Sequence, residues 1–292
     1  MPLLSYSRQE DHIDDSLIQH SSLSLDSLLG TWVSTTPSSG GIAKFEIVRE
    51  DGLPVLQIFG VGPKSMIDWG KTSVETVYTK DANTPEPMAF QARYDLGFME
   101  VHVQGNFSLG LMVLACLNIF KDDSGRTNYF SREFFYRTQG RNKKDEAPIL
   151  LLNRKIRTLD ISRLEEQPGS EMQGRDDTTI AQFIGDWTTT NPNSRGIARA
   201  VITSHEQGLL VHAFGAGRPE LHDWGIVQAR VLADGPASSR IRAFHAVYDF
   251  GFLESYLQAK TEKGVLVVAT FNRFKDQSGR SSYFSREFFA RI

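Results

Sequence analysis

Apolar and polar residues alternate along most of the chain in short runs of period two, cut by Gly, Pro, Asp and Ser, and no stretch holds the 3.6-residue period of a helix. The pattern predicts strands near Thr31–Thr35, Ile42–Arg49, Val55–Val61, Trp69–Tyr78, Met88–Asp95, Phe98–Gln104, Leu111–Phe120 and Asn128–Arg137. The series then returns. Leu29-Gly-Thr-Trp32 recurs as Ile184-Gly-Asp-Trp187, and Phe59-Gly-Val-Gly62 with Asp68-Trp-Gly70 recurs as Phe214-Gly-Ala-Gly217 with Asp223-Trp-Gly225. Tyr94-Asp-Leu-Gly-Phe98 recurs as Tyr248-Asp-Phe-Gly-Phe252, and Phe120 to Phe135 recurs as Phe274 to Phe289 with thirteen of sixteen positions identical. The offset is 155 in the first two blocks and 154 in the last two, so one residue was gained or lost between Gly70 and Tyr94. That segment contains Asn83-Thr-Pro-Glu-Pro87, which reads as a loop.

A fixed internal period identifies a duplicated structural unit. Eight strands joined by short turns suggest, in each copy, an up-and-down antiparallel barrel, because closure removes the sheet edges; a flattened sandwich is the alternative. The expected fold is all-β: two tandem antiparallel up-and-down β-barrels joined by a packed linker. The expected organisation is an N-terminal arm over 1–24, repeat 1 over 25–138, a linker over 139–179 and repeat 2 over 180–292. The linker has an apolar centre, Ile149-Leu-Leu-Leu152 through Leu164, between polar ends, so it is expected to pack on a barrel.

Each copy opens on Gly-x-Trp behind a short helix-like turn, Ser27-Leu28-Leu29 or Ile180-Ala-Gln-Phe183. This opening resembles that of the calycin barrels, the lipocalins and avidins. The resemblance implies that the Trp closes the barrel floor against a basic residue of the last strand, for which Arg132, Arg137, Arg286 and Arg291 stand late enough. It also implies, by analogy alone, ligand binding.

Net charge is −3 with both signs interspersed, which gives no basic face for nucleic acid and no polybasic membrane patch. No run reaches the roughly 18 apolar residues of a membrane span, and the N-terminus has no secretory-signal pattern, so a cytoplasmic location is expected. The single cysteine, Cys116, excludes an internal disulfide. There is no HxH, HExxH, CxxC, Gly-x-Ser-x-Gly, P-loop or dinucleotide fingerprint, so no metal and no cofactor is expected.

Several shared motifs have structural explanations. In Asp-Trp-Gly the Asp can cap a turn while the Trp fills the barrel end. Phe-Lys-Asp-x-Ser-Gly-Arg (Phe120–Arg126, Phe274–Arg280) reads as a hairpin turn with Gly at positive φ. Arg132 and Glu133, like Arg286 and Glu287, occupy opposite strand faces, so one charge of each pair must enter the interior or an interface. In Phe98–Gln104, Met99, Val101 and Val103 share one face, and Phe98, Glu100, His102 and Gln104 the other. In the second copy Leu253 and Leu257 keep the apolar face, and Phe252, Glu254, Tyr256 and Gln258 the mixed one. Alternation does not say which face lines the lumen. Leu111–Phe120 and Val265–Phe274 are apolar on both faces, which packing of the two barrels on each other, or a homodimer, would cover.

Chemistry is sought where the copies differ: His212 replaces Gln57, Arg195 replaces Gly40, and His222 and His245 have no histidine counterparts. His212 with Tyr248, Glu254 and Asp223 forms the candidate acid–base set. Trp224, Phe214, Phe252, Arg286 and Arg195, with Trp69 and Tyr94 of the first copy, are the candidate ligand contacts. The functional expectation is binding of a small apolar molecule, with cofactor-free cyclase or isomerase chemistry on a conjugated substrate. The rival is a non-catalytic, lectin-like module with one carbohydrate or ligand site per repeat, which duplication favours through avidity.

Overall fold

Sixteen strands carry the chain. The computed structural model describes residues 4–12, 23–36, 38–138, 160–167, 177–206 and 208–292. The first repeat supplies β1 (Gly30–Ser34), β2 (Ile42–Glu50), β3 (Leu53–Val61), β4 (Met66–Thr79), β5 (Pro87–Asp95), β6 (Met99–Ser108), β7 (Leu111–Phe120) and β8 (Tyr129–Arg137). The second supplies β9 (Gly185–Thr189), β10 (Ile197–His205), β11 (Gly208–Gly215), β12 (His222–Ala233), β13 (Ile241–Asp249), β14 (Leu253–Glu262), β15 (Val265–Phe274) and β16 (Tyr283–Arg291). Helical structure among the described residues is limited to 3-10 turns at Gln9–Asp11, Leu164–Glu166 and Asp177–Gln182. No helix is long and apolar enough to cross a membrane, which is no statement about strands.

Consecutive strands pair antiparallel throughout each repeat, and the first also pairs with the last: Trp32 faces Arg137 across β1–β8, and Trp187 faces Arg291 across β9–β16. Both repeats join one 16-stranded sheet through two parallel contacts, Thr79 with Tyr283 (β4–β16) and Ala233 with Tyr129 (β12–β8). These contacts exchange equivalent residues, so the repeats meet through an approximate two-fold relation.

The one-residue difference between the repeats lies in a strand, not in the loop around Asn83–Pro87. The β4–β5 register slips between Val74 and Thr76, whereas β12–β13 starts from Arg230 opposite His245 without that slip. A bulge absorbs one extra residue at little disturbance to the ladder on either side.

The face of β6 is also resolved. Met99, Val101 and Val103 join Trp32, Phe45, Phe90, Met112 and Phe135 in one buried cluster, and Leu257 and Ala259 of β14 join Trp187, Phe244 and Phe289 in the other. Side chains fill the core of each repeat, and the mixed face points away from it. Two apolar patches seal the seam between repeats: Tyr78 and Ala89 against Ala269, Phe271 and Phe284, and, by the same relation, Leu232 and Ala243 against Ala115, Leu117 and Phe130. The doubly apolar strands β7 and β15 are thus covered on their outer faces by the other repeat. Of the Arg-Glu pairs, the glutamates turn to the core side, where Glu133 lies 3.6 Å from the Arg163 guanidinium. Arg286 turns to the seam and donates to Asn106 Oδ1 at 2.9 Å.

Candidate functional site

The motifs shared by the repeats converge on two equivalent docks, each filled by a short arm. The arm of 4–12 enters the second repeat, and the arm of 160–167, which follows the first repeat in the chain, enters the first. Both contain one motif, Ser7-Arg8-Gln9-Glu10-Asp11 and Ser162-Arg163-Leu164-Glu165-Glu166, at the same 155-residue offset as the early blocks. Both arginines are 0 % exposed. Arg8 donates to Asn272 Oδ1 at 2.7 Å and Ser255 Oγ at 2.9 Å, and Arg163 to Asn118 Oδ1 at 3.0 Å and Ser131 Oγ at 3.1 Å.

The remaining motif residues hold the arm backbone and its acid. The Asp-Trp-Gly indoles donate to the arm serine carbonyls, Trp224 to Ser7 at 2.8 Å and Trp69 to Ser162 at 2.9 Å, and each indole also faces the arm guanidinium. The arginines of Phe-Lys-Asp-x-Ser-Gly-Arg reach the arm too: Arg280 donates to Ser5 O and Arg126 to Asp160 O, both at 2.9 Å. Asp276 and Asp122 brace those arginines. Tyr283 donates to Asp11, and Tyr129 to Glu166 at 2.8 Å. The same two acids accept the backbone N–H of Ser7 and Ser162, closing each arm into a turn. Gly60 and Gly215 are required by this approach, because a Cβ there would lie 2.0 and 2.2 Å from the serine carbonyl oxygens.

A second cluster sits in the seam. His102 Nε2 lies 2.7 Å from Glu100 Oε1, and His102 Nδ1 lies 3.3 Å from the Tyr256 hydroxyl of the other repeat. The proton arrangement that satisfies both contacts has Nε2 donating to Glu100 and Nδ1 accepting from Tyr256. His245 stacks parallel on Tyr256 with centroids 5.9 Å apart. Burial, reinforced by Arg230 and His102, pushes the His245 imidazolium down to about 4. Burial, with Arg93 adding, also lowers His102, against the pull of Glu100, and burial raises the Tyr256 phenol. Arg286, desolvated and facing Arg132, is pushed down to about 10.

Seven buried side-chain polar atoms lack a hydrogen bond among the described residues, and they divide cleanly. Three belong to the arm residues Arg8, Glu10 and Arg163, all of which have ion-pair partners. The other four are both amide atoms of Gln104 and both ring nitrogens of His245, at the seam. Native proteins rarely leave such groups unmatched without an ordered water or a ligand.

The residues expected to form one site are distributed over the molecule. His212 and Asp223 meet, Nε2 to Oδ1 at 2.6 Å, on the outer face of β11 and β12, with the His212 ring 4.2 Å from Phe214. Gln57 and Asp68 make the equivalent contact in the first repeat at 2.8 Å. Tyr248 lies on the opposite, core side: its hydroxyl donates to Val211 O at 2.7 Å, and burial raises its pKa. Tyr94 does the same with Leu56 O at 2.9 Å. Glu254 pairs with Arg273 at 2.9 Å. Trp224, Trp69 and Arg195, which donates to Gln9 O at 3.1 Å, belong to the docks, and Phe252 lies under Arg280, 5.7 Å from its guanidinium. Arg286 belongs to the seam. Two surface grooves of about 530 and 410 Å³ are lined largely by charged and polar side chains, the smaller bordered by Arg132, Arg242, Lys260 and Glu262. No group of three or more His, Cys, Asp or Glu side chains suited to a metal ion occurs among the described residues.

Sequence reasoning missed the arm motif, whose signal was its 155-residue offset, and it did not select His102, Gln104 or Tyr256 as site residues. No protein family, curated protein or solved structure matches this chain significantly.

Proposed function

We propose that the protein is a tandem β-barrel that binds one small molecule per chain at the seam between its repeats, with proton-transfer chemistry available there. The barrel reading is supported by the β1–β8 and β9–β16 pairings and by Arg291, whose guanidinium lies 4.7 Å from the Trp187 ring centroid. The lipocalin and avidin resemblance implies a Trp–Arg contact of this kind, and the Arg291–Trp187 geometry is in keeping with it.

The observation that carries the seam reading is the pair Gln104 and His245, whose four polar atoms are buried and unmatched. Each such atom costs about 1–3 kcal/mol unless a partner arrives. The half-buried Tyr256 ring, stacked on His245 at the edge of one apolar patch, offers an aromatic face to an apolar body, and Gln104 and His245 suit one or two hydrogen-bonding groups on it. Glu100, His102 and Tyr256 form a relay. The Tyr256 oxygen can take a proton from a bound molecule while its own passes to His102 Nδ1, and Glu100 steadies the resulting imidazolium. Return of a proton from the His102 imidazolium through Tyr256 to a different atom of the molecule completes a cofactor-free isomerisation. A lectin-like site at each Asp-Trp-Gly is less well supported, because the arms already hold both indoles.

Titration with anilinonaphthalene sulfonate, an aromatic body with acceptor oxygens, tests the reading. It should bind saturably at one per chain, and Gln104→Leu or His245→Phe should weaken it at least tenfold while Tyr256→Phe leaves it intact. Two equivalents per chain, or indifference to both seam variants, would overturn the seam site.

A further inference from the structure

The two docks make the same five bonds to their arms. The arm serine carbonyl accepts from the Asp-Trp-Gly indole, and the carbonyl two residues earlier from Arg280 or Arg126. The arm arginine donates to Asn272 or Asn118, and the closing acid accepts from Tyr283 or Tyr129. The N–H of the middle glutamate donates to the loop before the second strand of the repeat, from Glu10 to Arg195 O at 2.9 Å and from Glu165 to Gly40 O at 3.1 Å. The same bonds form although one arm belongs to the chain's start and the other follows the repeat it fills, so the tether does not set how the segment binds.

We propose that each dock is a receptor for a Ser-Arg-x-Glu-acid segment, and that the arm of a second copy of this chain is the occupant that enters when the resident arm leaves. Three observations lead there. The receptor is built for this occupant: Gly60 and Gly215 leave room for the serine carbonyl, and Asn118 Oδ1, the Tyr129 hydroxyl and the Glu133 carboxylate each lose an arm contact without it. Charge is complementary in both directions, with Glu133 or Glu287 on the core side facing the arm arginine, and Arg280 or Arg126 on the rim holding the arm backbone. The arm of 4–12 already serves a repeat other than the one its own chain enters next: twelve residues, 13–24, separate it from the start of the first repeat, yet it fills the second. An element that crosses between units in this way presents the same atoms whichever molecule carries it, which is the condition for exchange between copies.

This inference is independent of the seam ligand. The test uses the chain lacking residues 1–12, which opens the second dock, and a fluorescein-labelled peptide of residues 4–12. Anisotropy should show saturable binding at one peptide per chain, at least tenfold tighter than to the full-length protein. A peptide of residues 160–167 should compete, and the 4–12 peptide with alanine in place of Arg8 should not. At high concentration the full-length chain should form a dimer by sedimentation velocity, and Arg8→Ala should reduce that dimer. No peptide binding to a truncated chain that keeps its circular dichroism and melting transition would overturn the receptor. Should the truncated chain fail to fold, full-length Arg8→Ala is the recipient and the same absence of binding is decisive. A full-length chain that stays monomeric at every concentration would overturn the second copy as occupant.

Discussion

The dock in the first repeat and the dock in the second hold one motif by the same bonds, yet they surround it differently. Where Arg8 meets Ser255 and Thr270, Arg163 has Val101 and Cys116 at the equivalent positions. The second dock therefore sets more neutral hydroxyls around its buried arginine and holds its acids farther off, Asp11 at 3.8 Å and Glu10 at 3.9 Å. The first has one hydroxyl, that of Ser131, and brings carboxylates closer, with Glu133 at 3.6 Å, Glu165 at 3.4 Å and Glu166 at 3.5 Å. The middle glutamates differ as well. Burial pushes Glu10 up to about 7, partly offset by Arg8 and reinforced by Glu287, whereas Glu165 keeps 31 % of its side chain exposed. A duplicated binding geometry can thus be kept intact while its electrostatic support drifts.

The largest effect that would test this contrast is loss of the plug charge. Arg163→Ala strands Glu133 and Glu166 in the core side of the first repeat, and Arg8→Ala strands Asp11 and faces Glu287 with no cation. Removing one partner of a buried pair costs about 3–5 kcal/mol. Both variants should unfold at lower urea, with Arg163→Ala the more affected because it has fewer neutral hydrogen-bonding groups to fall back on. Equal midpoints would remove the distinction between the docks.

A smaller and more selective change acts through the glycines. Gly60→Ala places a methyl group on the path of the Ser162 carbonyl and should loosen the arm of the first repeat only. Cys116 reports on it, since its thiol is buried beside Arg163 and burial pushes it up to about 11. Maleimide labelling of Cys116 should accelerate at least tenfold in Gly60→Ala and stay slow in Gly215→Ala. Acceleration in both would mean that the docks open together.

The smallest effect is one of pH. Glu10 titrates at about 7 when docked, against 4.5 for an ordinary glutamate, so docking of the first arm binds a proton. Its contribution is complete below about 4.5 and fades as pH rises through about 7, so the arm should be held less firmly at pH 8 than at pH 5. The protection factors of the Gln9 and Glu10 N–H groups, taken against the intrinsic base-catalysed exchange rate, should fall over that window, and Glu10→Gln should hold them constant.

Much of the architecture is legible in the sequence. The strands fall within a few residues of their expected positions, because alternation and Gly, Asp and Pro punctuation are local signals. The hairpin role of Phe-Lys-Asp-x-Ser-Gly-Arg was readable for the same reason, while the reach of Arg126 and Arg280 to the arms was not. The candidate set around His212 was assembled from differences between copies. Such differences mark where the repeats diverged, and in this molecule they lie on the outer face at His212, against the arm at Arg195 and in the seam at His245.

By itself the sequence determined that one unit occurs twice, that the unit is a run of strands, and which residues share a strand face. Period two and a fixed offset are properties of the chain alone. Tertiary structure decided the rest: that Met99, Val101 and Val103 face the core while His102 and Gln104 face the other repeat, and that each arm fills the repeat it does not lead into. The physical reason is the same in both cases. A face or an arm acquires its role only from the surface that closes over it, and for His102 and Arg8 that surface lies 154 and 247 residues away along the chain.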